Sequence, residues 1–254
     1  LKPSWDRRIQ RASDLAKRHC EVSELLAFYQ QLARFQQEIY AALPAAREHE
    51  LRILLPYFSG LLELVDRAGS PALKNAAAAL AEDSEDERLS LLDGIWQHQV
   101  ESRALAGEYP FFAQALLQPY AEFLADQTHS ASDGTPSLCP FCGSRPVVAV
   151  LRPEGDGGKR SLVCSLCFTE WTFRRVVCPN CGEENKDKLP VYAAKEFENV
   201  RVEACDACRT YLKSIDMTKD GNAVPVVDEL ATISLNLWAS ENKYQKLRPN
   251  LFGV

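Results

Sequence analysis

Between residues 4 and 126 apolar side chains recur at steps of three and four, the period of a helix with one buried face. In the stretch EVSELLAFYQQLARFQQEIYAALP, Val22, Leu25, Tyr29, Leu32, Phe35, Ile39 and Leu43 share such a face, and Pro44 is placed to end the helix. LRILLPYFSGLLELVDRAG continues the pattern, with Pro56 as an expected kink and Gly69 as an expected stop. In SPALKNAAAALA, Ser70 can cap and Pro71 suits the first helical position. Ser84 followed three residues later by Glu87 is a capping-box signature. YPFFAQALLQPYAEFLAD closes the series, so five or six helices with short connections predict a bundle.

QTHSASDGTPS, residues 127–137, is polar and aperiodic and marks a boundary. Beyond it the period becomes two, in PVVAVL, RSLVC, TEWTFRRVVC, LPVYAA, NVRVEAC and TYLKSID, which predict short strands. GDGG at 155–158 reads as a hairpin tip and KDGNAVPVV as a turn, after which VDELATISLNLWASEN is helical again. The expected fold is therefore α+β. A helical bundle over 1–126 and a linker over 127–138 precede ribbons over 139–175 and 176–220, and a C-terminal helix and tail fill 221–254.

Eight of the nine cysteines in this 254-residue chain form C-x-x-C pairs, Cys139/Cys142, Cys164/Cys167, Cys178/Cys181 and Cys205/Cys208. A chain this long buries a core without cross-links, so the pairs point to metal rather than to a disulfide scaffold. Two such knuckles supply the four thiolates of a tetrahedral site. The first and third read C-P-x-C-G, in which glycine lets the backbone curl so that amides can face sulfur. Knuckle, strand, loop, strand, knuckle, strand then occurs twice. That repeat pairs 139/142 with 164/167 and 178/181 with 205/208, giving two rubredoxin-like or zinc-ribbon units of three strands, with FTEWTFRRVV running directly from one to the other. Loop lengths leave the interleaved pairing open. Thiolates accept iron and zinc alike, and an iron–sulfur cluster or a redox dithiol are the rival readings.

A catalytic zinc keeps a coordination position open, whereas here every pair is complete and His19, His49, His98 and His129 all precede the cysteines. Lone Cys20 reads as a buried small hydrophobe. The net charge of −6 is uneven: residues 1–138 hold 13 basic and 20 acidic side chains, and residues 139–220 hold 13 and 12. The cysteine-rich half thus has no basic stripe for nucleic acid, although Arg174, Arg175 and Arg201 keep a nucleic-acid-binding ribbon as an alternative, beside an iron electron-transfer protein. No apolar run approaches the ~20 residues of a bilayer span, and the opening residues lack a secretory apolar segment, so a cytoplasmic protein without membrane insertion is expected. The first residue is Leu1, not Met, which is compatible with residues ahead of it.

The blocks CPFCGSRPV, LVCSLCFTEWTFRRVVCPNCG, ACDACRTYLKSID and DELATISLNLWASENKYQKLRPN, in that order after a helical half, resemble the FdhE family of formate dehydrogenase accessory proteins. The resemblance is specific from residue 139 onward. It implies a non-enzymatic maturation factor that binds the catalytic subunit of a molybdenum- or tungsten-containing formate dehydrogenase, with rubredoxin-like sites able to hold iron. It also implies that the eight paired cysteines are the ligands of two metal ions, iron or zinc. Thr169, Glu170 and Trp171, with Thr210, Tyr211 and Lys213, fall where the family motif follows each second knuckle. They are expected to close the ribbons, Trp171 and Tyr211 shielding the metal and Glu170 bonding backbone, with direct partner contact as the other role.

Overall fold

A computed structural model describes residues 4–43, 50–97, 107–128, 135–155 and 157–254. Pro44, His49, His98 and His129 lie outside these. Among the described residues the N-terminal half holds six α-helices: α1 (Trp5–Arg18), α2 (Ser23–Ala42), α3 (Phe58–Ala68), α4 (Pro71–Ala81), α5 (Glu85–Trp96) and α6 (Tyr109–Gln127).

The local signals act as their chemistry dictates. Ser70 accepts from the Leu73 amide with Pro71 behind it, and Ser84 and Glu87 form the reciprocal capping box. Pro56 does not kink an α-helix but lies in a 3₁₀ segment, Leu51–Tyr57, that leads into α3, where its missing N–H costs less. Gly69 ends α3 through space rather than handedness: its φ is −77°, and an added Cβ would stand 2.6 Å from the Val65 carbonyl oxygen. Cys20 is exposed, in the turn between α1 and α2 and not in the core.

Helix α6 is buried along almost its whole length, which is why its sequence is apolar all round. It forms the axis of a core made with α2, α3 and α5 that continues into Cys139, Leu162, Cys164, Cys167 and Trp171. The helices and the first four-cysteine unit therefore share one hydrophobic interior.

The strands are β1 (Pro146–Glu154), β2 (Gly157–Cys164), β3 (Glu170–Thr172), β4 (Val191–Ala193), β5 (Val200–Cys205), β6 (Thr210–Asp216) and β7 (Gln245–Lys246). Each unit is an antiparallel trio as the repeat predicts, but the trios are fused into one sheet of order β3-β2-β1-β6-β5-β4. The seam is a parallel pairing of Ala149–Leu151 with Ser214–Asp216. The free end of the same β6 edge takes β7, Thr210 opposite Gln245. What joins the units is this seam, since the strand expected to run through residues 168–177 stops at Thr172.

The C-terminal helix is two, α7 (Pro225–Ala231) and α8 (Ile233–Glu241), parted at Thr232. Val224, Val227, Leu230 and Ala231 pack on Trp5, Leu15, Leu26 and Tyr29 of α1 and α2. On its other side α7 meets the sheet, where Lys213 donates to the carbonyls of Glu229 (2.5 Å) and Thr232 (3.2 Å).

Candidate metal centres

Each knuckle is built on one backbone device. The residue after the second cysteine takes a positive φ, 71° at Gly143, 54° at Phe168, 76° at Gly182 and 57° at Arg209. In the C-P-x-C-G knuckles glycine adopts it without strain, and the Gly143 and Gly182 amides donate to the carbonyls of Cys139 and Cys178, both at 3.0 Å, rather than to sulfur. The amides that face sulfur lie inside the turns: Leu166 and Cys167 on Cys164 at 3.3 and 3.4 Å, and Asn180 on Cys178 at 3.4 Å.

The turns bring Cys139, Cys142, Cys164 and Cys167 together, and separately Cys178, Cys181, Cys205 and Cys208, with all Sγ atoms of a cluster within 4.8 Å of one another. The repeat-wise association is thus the one formed, and the interleaved one is not. Sulfurs stand 3.3 Å apart for Cys142–Cys164, 3.5 Å for Cys139–Cys167, and 3.7 Å for both Cys178–Cys208 and Cys181–Cys205. A tetrahedral ion with metal–sulfur bonds of ~2.3 Å sets its sulfurs ~3.8 Å apart, whereas a disulfide needs ~2.05 Å. No disulfide joins any of the nine cysteines, and the two quartets fit a metal ion each.

Within the second cluster, burial pushes the Cys208 thiol up, but hydrogen bonding with Thr210 and Asn180 outweighs it and holds the group at about 6. In the first, hydrogen bonding with Cys139, Cys164 and Cys167 drives Cys142 far down while Cys164 and Cys167 are driven up. Metal binding requires all four sulfurs as thiolates, so a cation entering either quartet displaces the protons that remain on it.

The residues after the second knuckles have distinct places. Thr169 and Thr210 stand in for each other across the repeat, their hydroxyls 3.1 and 3.0 Å from the sulfurs of Cys167 and Cys208. Trp171 is buried in the same core cluster as Cys139, Cys164 and Cys167, and its indole N–H reaches back to the Pro136 carbonyl at 2.8 Å. Glu170 pairs not with backbone but with Arg152, at 2.7 and 2.6 Å. Tyr211 is buried in the second core cluster, beside Ala204 and Tyr244. Lys213, expected near a metal or a partner, is 0% exposed and binds Glu229 at 2.8 Å, because alternation along β6 turns it inward toward α7.

Other residues hold the first cluster to the helices and escape a reading of periodicity. Gln118 of α6 donates to the Ser165 carbonyl at 3.1 Å, while its own oxygen accepts from Gln36 of α2. The buried Arg8 of α1 meets Glu122 at 2.8 and 2.5 Å and lies over the rings of Trp5 and Phe168. Their signal was a polar residue at a position the helix period assigns to the core, as with Gln36 between Leu32 and Ile39.

A helical bundle docked on a sheet that carries two four-cysteine clusters defines a two-site, rubredoxin-like or zinc-ribbon metal-binding protein. Residues 138–175 match the model of the FdhE central domain, and residues 176–252 that of the FdhE C-terminal domain. A curated FdhE homolog of Aquifex aeolicus is 33% identical over 208 residues, covering 81% of this chain and 72% of its own. The homolog of Pseudomonas aeruginosa is 32% identical over an alignment of 293 positions, covering 98% and 90%. The crystal structure of the FdhE protein from Pseudomonas aeruginosa superposes with a TM-score of 0.80 at 26% identity, over 100% of this chain and 98% of that one. The chain belongs to the FdhE family.

Proposed function

We propose that this chain is a cytoplasmic, non-enzymatic accessory protein that binds the catalytic subunit of a formate dehydrogenase during its maturation. One metal ion, iron or zinc, would sit in each cluster, held by Cys139, Cys142, Cys164 and Cys167 and by Cys178, Cys181, Cys205 and Cys208. The observation that carries this reading is the completeness of the quartets: four sulfurs saturate a tetrahedral ion and leave no position for a substrate or an activated water. Work on a client then falls to surfaces. One candidate surface is an apolar groove of about 810 Å³ between the β4 edge, α8 and the end of α1, lined by Tyr192, Phe197, Leu235 and Trp238. Val191, 57% exposed, is part of the same lining.

Supporting a partner other than nucleic acid, two of the three arginines that suggested it are in ion pairs, Arg174 with Glu184 and Arg201 with Asp216, each at 2.5 Å. No helix among the described residues is long and apolar enough to cross a membrane. The test is anaerobic purification of the tagged chain with elemental analysis, then co-purification with a formate dehydrogenase catalytic subunit. Two ions per chain and a retained subunit are expected. Absence of the subunit from an otherwise folded, loaded preparation would refute the reading.

A further inference from the structure

The two clusters have the same ligands and nearly the same turns, yet they differ in access. In the first, Cys139, Cys164 and Cys167 belong to the main hydrophobic core, with Leu166, Trp171 and Phe173 around them. In the second, no cysteine belongs to a core cluster among the described residues, and Cys181 is exposed. Cys178 and Cys205, though themselves buried, line a cavity of about 240 Å³.

The cavity has a definite character. Leu151, Val176, Val191 and Leu212 give it apolar walls, and four cations, Arg160, Arg175, Lys186 and Arg201, face a single carboxylate, Glu203. Two of the cations are committed, Arg160 to Glu203 at 2.6 Å and Arg201 to Asp216 at 2.5 Å. The exposed side chains of Arg175 and Lys186 have no ion pair among the described residues. Four thiolates around a divalent ion leave a net negative charge that repels an approaching anion, and uncommitted cations at the entrance offset it.

We infer that this cavity is a binding site for small anionic metal ligands, thiolates or carboxylates, through which the second cluster exchanges its ion while the first stays closed. The inference rests on the reading that both quartets hold metal. In the exchange the ligand's sulfur or oxygen bonds to the ion as a cysteine sulfur is released. That sulfur takes a proton from solvent, and no electrons change hands.

The experiment uses the full chain loaded with zinc, with release followed to anionic 4-(2-pyridylazo)resorcinol and to the neutral chelator tetrakis(2-pyridylmethyl)ethylenediamine. One equivalent should leave at least about tenfold faster than the other, and Cys181→Ser should abolish the fast equivalent while keeping the slow one. The surface variant Arg175→Ala/Lys186→Ala should slow fast release to the anionic chelator about tenfold, and high salt should reproduce that loss in the wild type. Release to the neutral chelator should be unchanged. If the cations only held the ion electrostatically, their removal would instead speed release to both chelators, and the inference would fail. A single common rate, or a fast equivalent that survives Cys181→Ser, would also overturn it. A chain that binds no zinc would overturn the metal reading beneath it.

Discussion

The guanidinium of Arg8 lies 4.7 Å from the centre of the Phe168 ring, so the first helix of the chain touches the second knuckle of the first cluster directly. The same guanidinium is paired with Glu122 and stacked on Trp5, which ties α1, α6 and the metal ribbon at one point. Removing one member of a buried pair leaves the other charged and unpaired. Arg8→Met or Glu122→Leu alone should therefore cost about 3–5 kcal/mol, and the double change much less than the sum. Urea denaturation of the four proteins reads the coupling.

Phe168 and Arg209 hold equivalent positive-φ positions where the other two knuckles use glycine. Glycine would relieve about 1–2 kcal/mol of backbone strain at either site. At Phe168 that gain is outweighed by about 3–5 kcal/mol of lost aromatic packing. At exposed Arg209 the losses are the contact with Tyr244 and the surface bonds to Asp206 at 2.7 Å and the Asn242 carbonyl at 2.6 Å, together about 1–2 kcal/mol. Phe168→Gly should destabilise by about 1–4 kcal/mol and Arg209→Gly by nearly nothing, a contrast that thermal melts of the loaded proteins will resolve.

Loss of one ligand should have unequal reach. Cys142→Ser opens a cluster embedded in the helical core, and the melting of the helices should shift with it. Cys181→Ser opens a cluster at the surface, and its effect should stay within β4 to β6. Circular dichroism at 222 nm, with zinc content measured alongside, distinguishes a drop in helix melting for Cys142→Ser from an unchanged melt for Cys181→Ser.

Glu229 is enclosed by Lys213, Lys246 and Asn250. Burial pushes its carboxyl up, but the two ammonium groups outweigh burial and hold it at about 2, below the ordinary 4.5. A depressed carboxyl contributes stability that is complete above its unfolded pKa and is lost as pH falls through the folded one. The wild type should therefore lose stability between pH 4.5 and about 2, and Glu229→Gln, less stable at neutral pH, should show a flatter slope there. Chemical denaturation across that window measures it.

Much of the candidate site was legible because it is local. C-x-x-C turns aim their own sulfurs, and the doubled order of knuckle and strand told which turns belong together. The caps at Ser70 and Ser84 were legible for the same reason, since each bonds an amide three residues on. Lys213 and Glu170 were misplaced because their partners, Glu229 and Arg152, lie 16 and 18 residues away and are chosen by the sheet. Arg8 and Gln118 stand at positions the helix period assigns to the core, but the partners that satisfy them there, Glu122 and the Ser165 carbonyl, are chosen by tertiary packing.

From residue types and spacing alone came the α+β class, the helical half, the two cysteine quartets and their tetrahedral chemistry, all governed by interactions within a few residues. Tertiary structure alone decided the fusion of both units along β1 and β6, the burial of one cluster in the helical core and the exposure of the other. Those outcomes depend on which apolar surfaces cover each other across more than a hundred residues of chain, as Arg8 meets Glu122, and no local period encodes that choice.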